Sequence, residues 1–319
     1  MGAVPIPRVD EPRRLAGALR AWVVLLLVAL AIGPASAEAP STLRVVTFNL
    51  LHGGPTSGWW GDDHHLDARL ELVARELRAL DPDILGLQES SINGRRNVAE
   101  RLAAQLGLRW VHASATGRIS GIGLLDRLLV WTMNFEEGPA ILSRWPIVET
   151  EVLDLPRCVK FFDPRVVLRA VVETPHGRLQ VFSTHLSHDP CQARRLGEIV
   201  RAHPGPLPAL IMGDFNASES TEWMKAFVRD ARLVDAYRAV NPSTPGPTVW
   251  QRPDAPDPTV TRRVDYIFVA PGTASVARVR SSRVILSTPG RLANGVILWP
   301  SDHYGVLAEV GLDTARASR

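Results

Sequence analysis

Short apolar runs recur along this chain, each closed by a polar residue or a turn former. Residues 43–48, 84–87, 179–182, 209–212 and 266–269 are rich in β-branched or large side chains and predict buried strands. Between them the period changes. Leu66, Leu70, Val73, Leu77 and Leu80 fall at helical spacing with Arg and Glu between, so residues 67–80 predict an amphipathic outer helix that Asp81-Pro82-Asp83 ends. Residues 98–106 repeat that pattern up to Gly107. Residues 138–146, 166–173 and 179–184 read as antiparallel strands, with His176-Gly177 as a hairpin turn. Residues 192–201 predict a helix over a second sheet, and the Pro-rich residues 204–208 lead into a central strand. Residues 241–258, rich in Pro, Thr and Asp, predict a long surface loop. The apolar residues 122–135 predict a buried helix or strand, with a membrane-contacting loop as the alternative. Periodicity alone gives a mixed α/β class.

The first 37 residues differ in kind. Arg13, Arg14 and Arg20 precede an unbroken apolar run over residues 21–32, followed by Gly33-Pro34 and Ala35-Ser36-Ala37. A basic region, an apolar stretch shorter than the ~20 residues a bilayer span needs, and a small-x-small site predict a cleaved signal peptide over residues 1–37. Glu38 is then the first residue of a secreted or periplasmic protein. The alternative is an uncleaved anchor running from Trp22 to Ala37. Residues 38–319 predict one catalytic domain, because the polar motifs below run from Asn49 to His303 and must share a site.

The chain has 36 Lys and Arg against 33 Asp and Glu; the leader holds four and two of these, leaving 32 against 31. A net charge of +1 gives no extended basic footprint for wrapping nucleic acid, though it leaves room for an enzyme that grips a few phosphates. Cys158 and Cys191, the two cysteines, are either a disulfide of an exported protein or two separate thiols.

Six polar motifs sit at strand ends: Thr47-Phe48-Asn49-Leu50, Gln88-Glu89, Ser183-Thr184-His185-Leu186, Gly213-Asp214-Phe215-Asn216, Arg263-Val264-Asp265-Tyr266 and Ser301-Asp302-His303. They supply carboxylate, carboxamide and imidazole, the hard oxygen and proton-handling groups that Mg²⁺ and a phosphate require. They supply no thiolate for a structural zinc site. Asp214 and Asn216, two apart on an extended segment, leave the same face, and Gly213 allows close approach. Asp265 is the expected partner that fixes the tautomer of His303. Arg144 and Arg165 are candidate phosphate clamps, since a guanidinium fork suits phosphate oxygens. His52, His64, His65 and His188 lie in loops near the motifs and read as solvent-facing, with lining of the site as the alternative. Trp59-Trp60 is either a stacking platform or loop packing.

With these motifs in this order, the chain resembles the endonuclease/exonuclease/phosphatase superfamily of deoxyribonuclease-I-like hydrolases over about residues 43–312. The resemblance implies a four-layer α/β sandwich, two mixed sheets face to face with helices outside. It implies a phosphoester hydrolase using a metal-assisted water and Mg²⁺, with Mn²⁺ as a substitute. Asn49, Glu89 and Asp302 are the implied metal side; His185, Asp214, Asn216, Asp265 and His303 are the implied catalytic residues. A histidine at position 185 argues against the apurinic-site branch, and Glu137 is a candidate carboxylate for orienting it. The expected substrate is a phosphoester of nucleic acid or of a phospholipid headgroup, with no protein partner and a monomeric state. The main reading is an exported phosphodiesterase or endonuclease; a sphingomyelinase-like lipid phosphodiesterase or a phosphoinositide-type phosphatase is the alternative. Alanine at Asp214 or His303 is expected to abolish hydrolysis and leave thermal unfolding nearly unchanged.

Overall fold

Alternation along each strand divides its side chains between two cores. In β1 (Thr42–Asn49), Leu43 and Val45 enter one buried cluster while Val46 and Phe48 enter another. Strands covered on both faces read as near-continuous apolar runs, as this one does. The computed structural model describes residues 42–52, 54, 64–94, 96–160, 163–249 and 251–314. The expected leader and Trp59-Trp60 lie outside them. Among the described residues no helix is long and apolar enough to cross a membrane.

After β1 the strands in chain order are β2 (Ile84–Asn93), β3 (Arg96–Asn97), β4 (Arg109–His112), β5 (Glu136–Ser143), β6 (Ile147–Asp154), β7 (Val166–Thr174) and β8 (Gly177–His185). They continue with β9 (Ala209–Asp214), β10 (Val234–Asp235), β11 (Asp265–Ala270), β12 (Ser275–Ile285), β13 (Gly290–Arg291), β14 (Ile297–Leu298) and β15 (Gly305–Thr314). The helices are α1 (Leu66–Leu80), α2 (Val98–Leu106), α3 (Gly123–Met133), α4 (Pro190–Ala202), α5 (Glu222–Asp230) and α6 (Ala236–Val240). One mixed sheet runs β12-β15-β1-β2-β5-β4, with β3 on β2; the other runs β10-β11-β9-β8-β7-β6.

The two sheets face each other across a core that includes Val45, Ile84 and Ile141 from the first and Leu168, Val181 and Met212 from the second. Behind the first sheet, α1 and α2 bury Leu70, Val73, Leu77 and Leu102 against Val46, Leu85 and Leu87. Behind the second, Leu196, Ile199 and Phe227 from α4 and α5 meet Phe182, Ile211 and Phe268. The result is the four-layer sandwich. All of these elements belong to one compact unit, Pro40–Arg319.

Local chemistry ends the helices where the periodicity stops. Gly107 takes the left-handed conformation at the end of α2 (φ 69°), and Asp81 does the same after α1 (φ 46°). At the other end of α2, the Asn97 side chain accepts from Glu100 N. Gly213 shows why glycine is needed in a central strand: a Cβ there would lie 2.4 Å from the backbone oxygen of Thr184 on the neighbouring parallel strand β8. Gly213→Ala is therefore expected to destabilise the fold by roughly 1–3 kcal/mol through overpacking. Denaturant unfolding checks this, and an unchanged midpoint would refute the close-approach argument.

Two sequence expectations change. Residues 122–135 do not form a buried element: α3 leaves Leu124 and Trp131 exposed and has Asp126 as its only buried residue. Residues 241–258 are not simply a surface loop, because Thr248, Val249 and Gln251 are buried and Val249 bridges both Arg262 and His303. The cysteine alternative resolves as a disulfide, Cys158–Cys191, with Cα atoms 6.3 Å apart. Buried Asp189 reinforces it, capping α4 at Cys191 N (2.8 Å) and accepting from Cys158 N and Val159 N (3.0 Å each).

Candidate active site

Strand direction and register gather the motifs at one end of both sheets. Asn49 closes β1 opposite Gln88 of parallel β2, which puts Glu89 beside it. His185 closes β8 opposite Asp214, and Asp214 pairs in turn with Asp265 at the start of antiparallel β11. β15 runs antiparallel to β1, with Val306 opposite Thr47, so the loop entering it carries Asp302 and His303 to the same rim. Eight residues from six strands or their flanking loops therefore meet.

The contacts are direct. Asn49 Nδ2 donates to both Glu89 Oε1 and Asp214 Oδ2 at 3.1 Å. Asp214 Oδ1 accepts from Asn216 N (2.7 Å), and its Oδ2 lies 3.4 Å from His185 Nε2 and 3.7 Å from His303 Nε2. His303 Nδ1 stands 2.9 Å from Asp265 Oδ2, the partnership expected from sequence. Glu89 reaches inward through a register shift between Leu87 and Ser90 in the β2–β5 pairing and a positive φ of 53°. Such bulges re-aim a side chain at a site. Asn216 also has positive φ (52°), so it joins Asp214 through a left-handed turn, not by the expected extended alternation. Its Nδ2 donates to Leu186 O (2.8 Å) and stands 2.9 Å from His185 Nε2. Phe215 between them points the other way, 5.3–5.5 Å from the rings of Tyr266, Phe227 and Phe268, and anchors the turn in the outer core.

Burial and charge tune these groups. Burial first, then the adjacent Asp265, pushes Asp214 up to about 7. Burial opposes the charged form of His303, but Asp265 and Asp214 outweigh it and raise the imidazole to about 10. His185 is held well below the ordinary histidine value by burial and then by Arg165. Asp302 is raised by burial and further by Glu89. Glu89 itself is lowered: burial pulls upward, yet His52, Asn49 and His303 together prevail.

Arg165 belongs to this cluster and Arg144 does not. Arg165 Nη1 donates to His185 Nδ1 (2.9 Å) and its Nε to Ser187 Oγ (2.9 Å), with Asp163 at 3.1 Å. It occupies the place expected for Glu137, which lies 3.8 Å behind the guanidinium and is raised by burial. Arg144 instead binds Asp81 and Asp83 (2.5 and 2.8 Å) where Ser143 pairs with Ile84. That is five residues before Glu89 along β2, about 16 Å away at strand rise. Arg165→Ala is expected to cut kcat/KM by about tenfold or more, as loss of a charge-assisted contact does. Arg144→Ala should leave kcat/KM unchanged; equal losses in steady-state assays of the two variants would contradict this separation.

His64 and His65 are exposed, as expected, and so is His188, although its Nδ1 lies 2.8 Å from Asn216 O. His52 departs from the expectation: its Nε2 lies 3.4 Å from Glu89. Sequence reasoning missed Arg69. This buried arginine donates to the carbonyls of Leu50 (2.6 Å), Leu51 (2.7 Å), His64 (2.8 Å) and Pro300 (3.3 Å), tying the loop after Asn49 to the one before Asp302. The signal was an arginine on the apolar face of α1, three residues after Leu66.

Hard donors surround unmet charge here, and they fit a divalent cation. Asp302 and Glu89 are acids close enough to perturb each other, and Asp265 Oδ1 is buried without a hydrogen-bond partner. Among the described residues, Asp214, Asp265 and His303 form a group whose ligand atoms lie within 4.8 Å of one another. Thus the possible metal donors extend beyond the expected Asn49, Glu89 and Asp302. Oxygen donors of this kind suit Mg²⁺ or Mn²⁺.

Fold and strand-end cluster together define a class, the two-sheet sandwich hydrolases. The chain belongs to the Endonuclease/Exonuclease/phosphatase family, which matches it over residues 46–303. Members of that family are divalent-metal-dependent hydrolases acting on phosphoesters. Solved structures share the fold at low identity. A mannosyl-6-phosphatase of Bacteroides thetaiotaomicron is 22% identical, with a TM-score of 0.62 over 84% of this chain and 99% of that one. The human Nocturnin catalytic domain with bound sulfate is 22% identical, with a TM-score of 0.59 over 86% and 95%. TDP2 of D. rerio complexed with a single-strand DNA product is 18% identical, with a TM-score of 0.61 over 85% and 99%. No curated protein sequence matches the chain significantly.

Proposed function

We propose that this chain is an exported, Mg²⁺-dependent phosphoric ester hydrolase of the phosphodiesterase or endonuclease-like kind. The observation that carries the reading is the Asp214 carboxylate. It is buried, raised toward neutrality, and within 3.7 Å of Asn49, His185 and His303. A carboxylate so placed orients a water and accepts its proton near physiological pH. Asn216 and neutral His185, 2.9 Å apart beside Asp214, would lie toward the oxygens of the phosphate. His303 is held by Asp265 and carries the positive charge that balances the developing negative charge. Asn49, Glu89 and Asp302 would hold the cation, with the Asp214 and Asp265 carboxylates beside them. When bound, the ion supplies positive charge to the non-bridging oxygens.

The basic, apolar and small-x-small pattern of residues 1–37 supports export, and so does the Cys158–Cys191 disulfide, a bond that persists in oxidising compartments. A mannosyl-6-phosphatase and a protein holding a DNA product share the fold, so the fold leaves the choice of ester open. The test is hydrolysis of bis(p-nitrophenyl) phosphate by the chain from Glu38 with Mg²⁺ or Mn²⁺. Absence of turnover with either ion would overturn the proposal.

A further inference from the structure

The helix α3 turns its apolar residues to solvent. Leu124 is 81% exposed, Trp131 75%, Ile122 62%, Leu128 55% and Leu125 42%, while Asp126, an acid, is buried. The inversion is local. Asp126 Oδ1 accepts from Ser120 N (2.6 Å), so the carboxylate fastens the preceding turn and takes the buried position on the helix, while Leu124 and Leu128, two residues to either side of it, stand exposed. A cluster of large exposed side chains on one short element marks a surface that meets another phase or partner.

Charge and position limit what covers it. Arg127 is exposed among the leucines, and the cavity of about 970 Å³ beside the helix is lined by Arg118, Arg127, Arg157 and Arg165 against three acids, Glu136, the buried Asp126 and Asp154. Arg118 is held by Asp154 (2.7 Å) and Arg157 by the carbonyl of Ile119 (2.6 Å), so both cations are set in place on that wall. Trp131 lines the cavity at the helix, and Arg165, the residue that donates to His185, lines it as well. Trp131 and Arg165 thus lie on the wall of one cavity, and Arg165 connects that wall to the candidate site through His185. What covers α3 must offer an apolar surface to the exposed Leu124, Leu128 and Trp131 and, in the adjoining cavity, anionic groups to the arginines and a phosphoester near Arg165. Nucleic acid lacks the apolar part. A phospholipid surface has all three, and leucine and tryptophan with arginine between them is the composition of helices that lie in the headgroup region.

We propose that α3 is a membrane-docking helix that sets the site against a phospholipid surface, so that the ester hydrolysed belongs to a lipid headgroup. This rests on the phosphoesterase reading above. Carrying the hydrolysis at the bilayer surface needs no extraction of the lipid tails.

The experiment uses the chain from Glu38, which retains the whole compact unit Pro40–Arg319. Wild type and a Leu124→Ser/Leu128→Ser/Trp131→Ser variant are compared in three assays. These are co-flotation with vesicles of phosphatidylcholine and phosphatidylglycerol in equal parts, headgroup release from those vesicles, and turnover of bis(p-nitrophenyl) phosphate. The expected result is flotation of the wild type, at least about tenfold weaker partition of the variant, a parallel loss of headgroup release, and equal turnover of the soluble diester. Equal flotation of both proteins, or none of the wild type, overturns the docking role. Flotation without headgroup release overturns the substrate assignment. A wild-type dimer in the absence of vesicles that the triple variant lacks assigns the face to a second copy and overturns the proposal. Failure of the soluble assay in the wild type strikes the phosphoesterase reading, which flotation does not depend on.

Discussion

Asp214→Ala is expected to lower kcat/KM for any substrate of this site by ~10³-fold or more, the scale of a lost proton acceptor that also orients water. Among the described residues the nearest groups are already committed: Glu89 is held by Asn49, and His185 takes a hydrogen bond from Arg165 at Nδ1. Asp265 is bound to His303 at 2.9 Å, and Asn216 and Asn49 have no basic group to offer. Stability should move the other way. The carboxyl of Asp214 is raised from its ordinary value of 3.8 to about 7, so the folded state binds a proton that the unfolded chain has released. Stability is thus lost as pH climbs between those values, and ionised Asp214 weighs against the metal-free fold above them. Removing it should leave the unfolding temperature of metal-free protein at pH 8 equal or higher. A variant that keeps wild-type turnover would sink the assignment.

His303→Ala should differ from the sequence expectation of unchanged unfolding. It strips Asp265 of its partner in a buried setting, which costs about 3 kcal/mol or more when one member of a buried pair is removed. His303 is raised from 6.5 to about 10, so its contribution is complete below the lower value and disappears as pH rises through the higher. The destabilisation measured for the variant should therefore shrink in strongly alkaline buffer.

Removal of divalent ions by EDTA should stop hydrolysis altogether, and Mg²⁺ or Mn²⁺ should restore it. Glu89, Asp214, Asp265 and Asp302 crowd one rim, with His303 and Arg165 as the nearby cations. Without an added positive charge the site holds more acid than it can balance, and a phosphate bearing its own negative charge meets repulsion. Ion binding to the folded chain alone must also stabilise it by mass action. The unfolding temperature is therefore expected to rise with Mg²⁺ concentration, and Glu89→Gln should blunt that rise. Turnover indifferent to chelation would remove the metal mechanism, whatever the Asp214 variant showed.

Much of this arrangement was legible in the sequence because it depends on local features. A strand buried on both faces needs a continuous apolar run, and a polar residue ending it must sit at a sheet edge. Asn49, His185, Asp214, Asp265 and His303 could each be placed at or beside a strand end on that ground, whereas Glu89, expected at the end of residues 84–87, lies inside β2, which runs on to Asn93; the His303–Asp265 pair was expected from the roles the resemblance implies, not from spacing. The helices at 66–80 and 98–106 followed from a 3.6-residue period with a stop signal behind each.

What the chain's order could not say is which groups meet across the sandwich. Arg144 and Arg165 carry the same side chain next to strands, yet one lies at the far end of β2 and the other touches His185. Register separates them, and register is set by pairings between segments remote in sequence. The bulge that turns Glu89 inward is likewise a conformation imposed by neighbours, since Glu has no preference for positive φ; Asn216 belongs to a residue type enriched there, but its two-residue spacing from Asp214 reads equally as extended strand. Residues 122–135 show the limit most plainly. Their apolarity is a property of composition, yet Asp126, bound to Ser120 N, takes the buried position while Leu124, Leu128 and Trp131 stand exposed. The sequence by itself determined the layers, the strand-end motifs and their hard-donor chemistry, because periodicity and residue type are local. Only the tertiary structure decided the partner of His185, the disulfide and the outward face of α3, because the first two are contacts between segments that sequence spacing leaves free and the third depends on which elements pack against the helix.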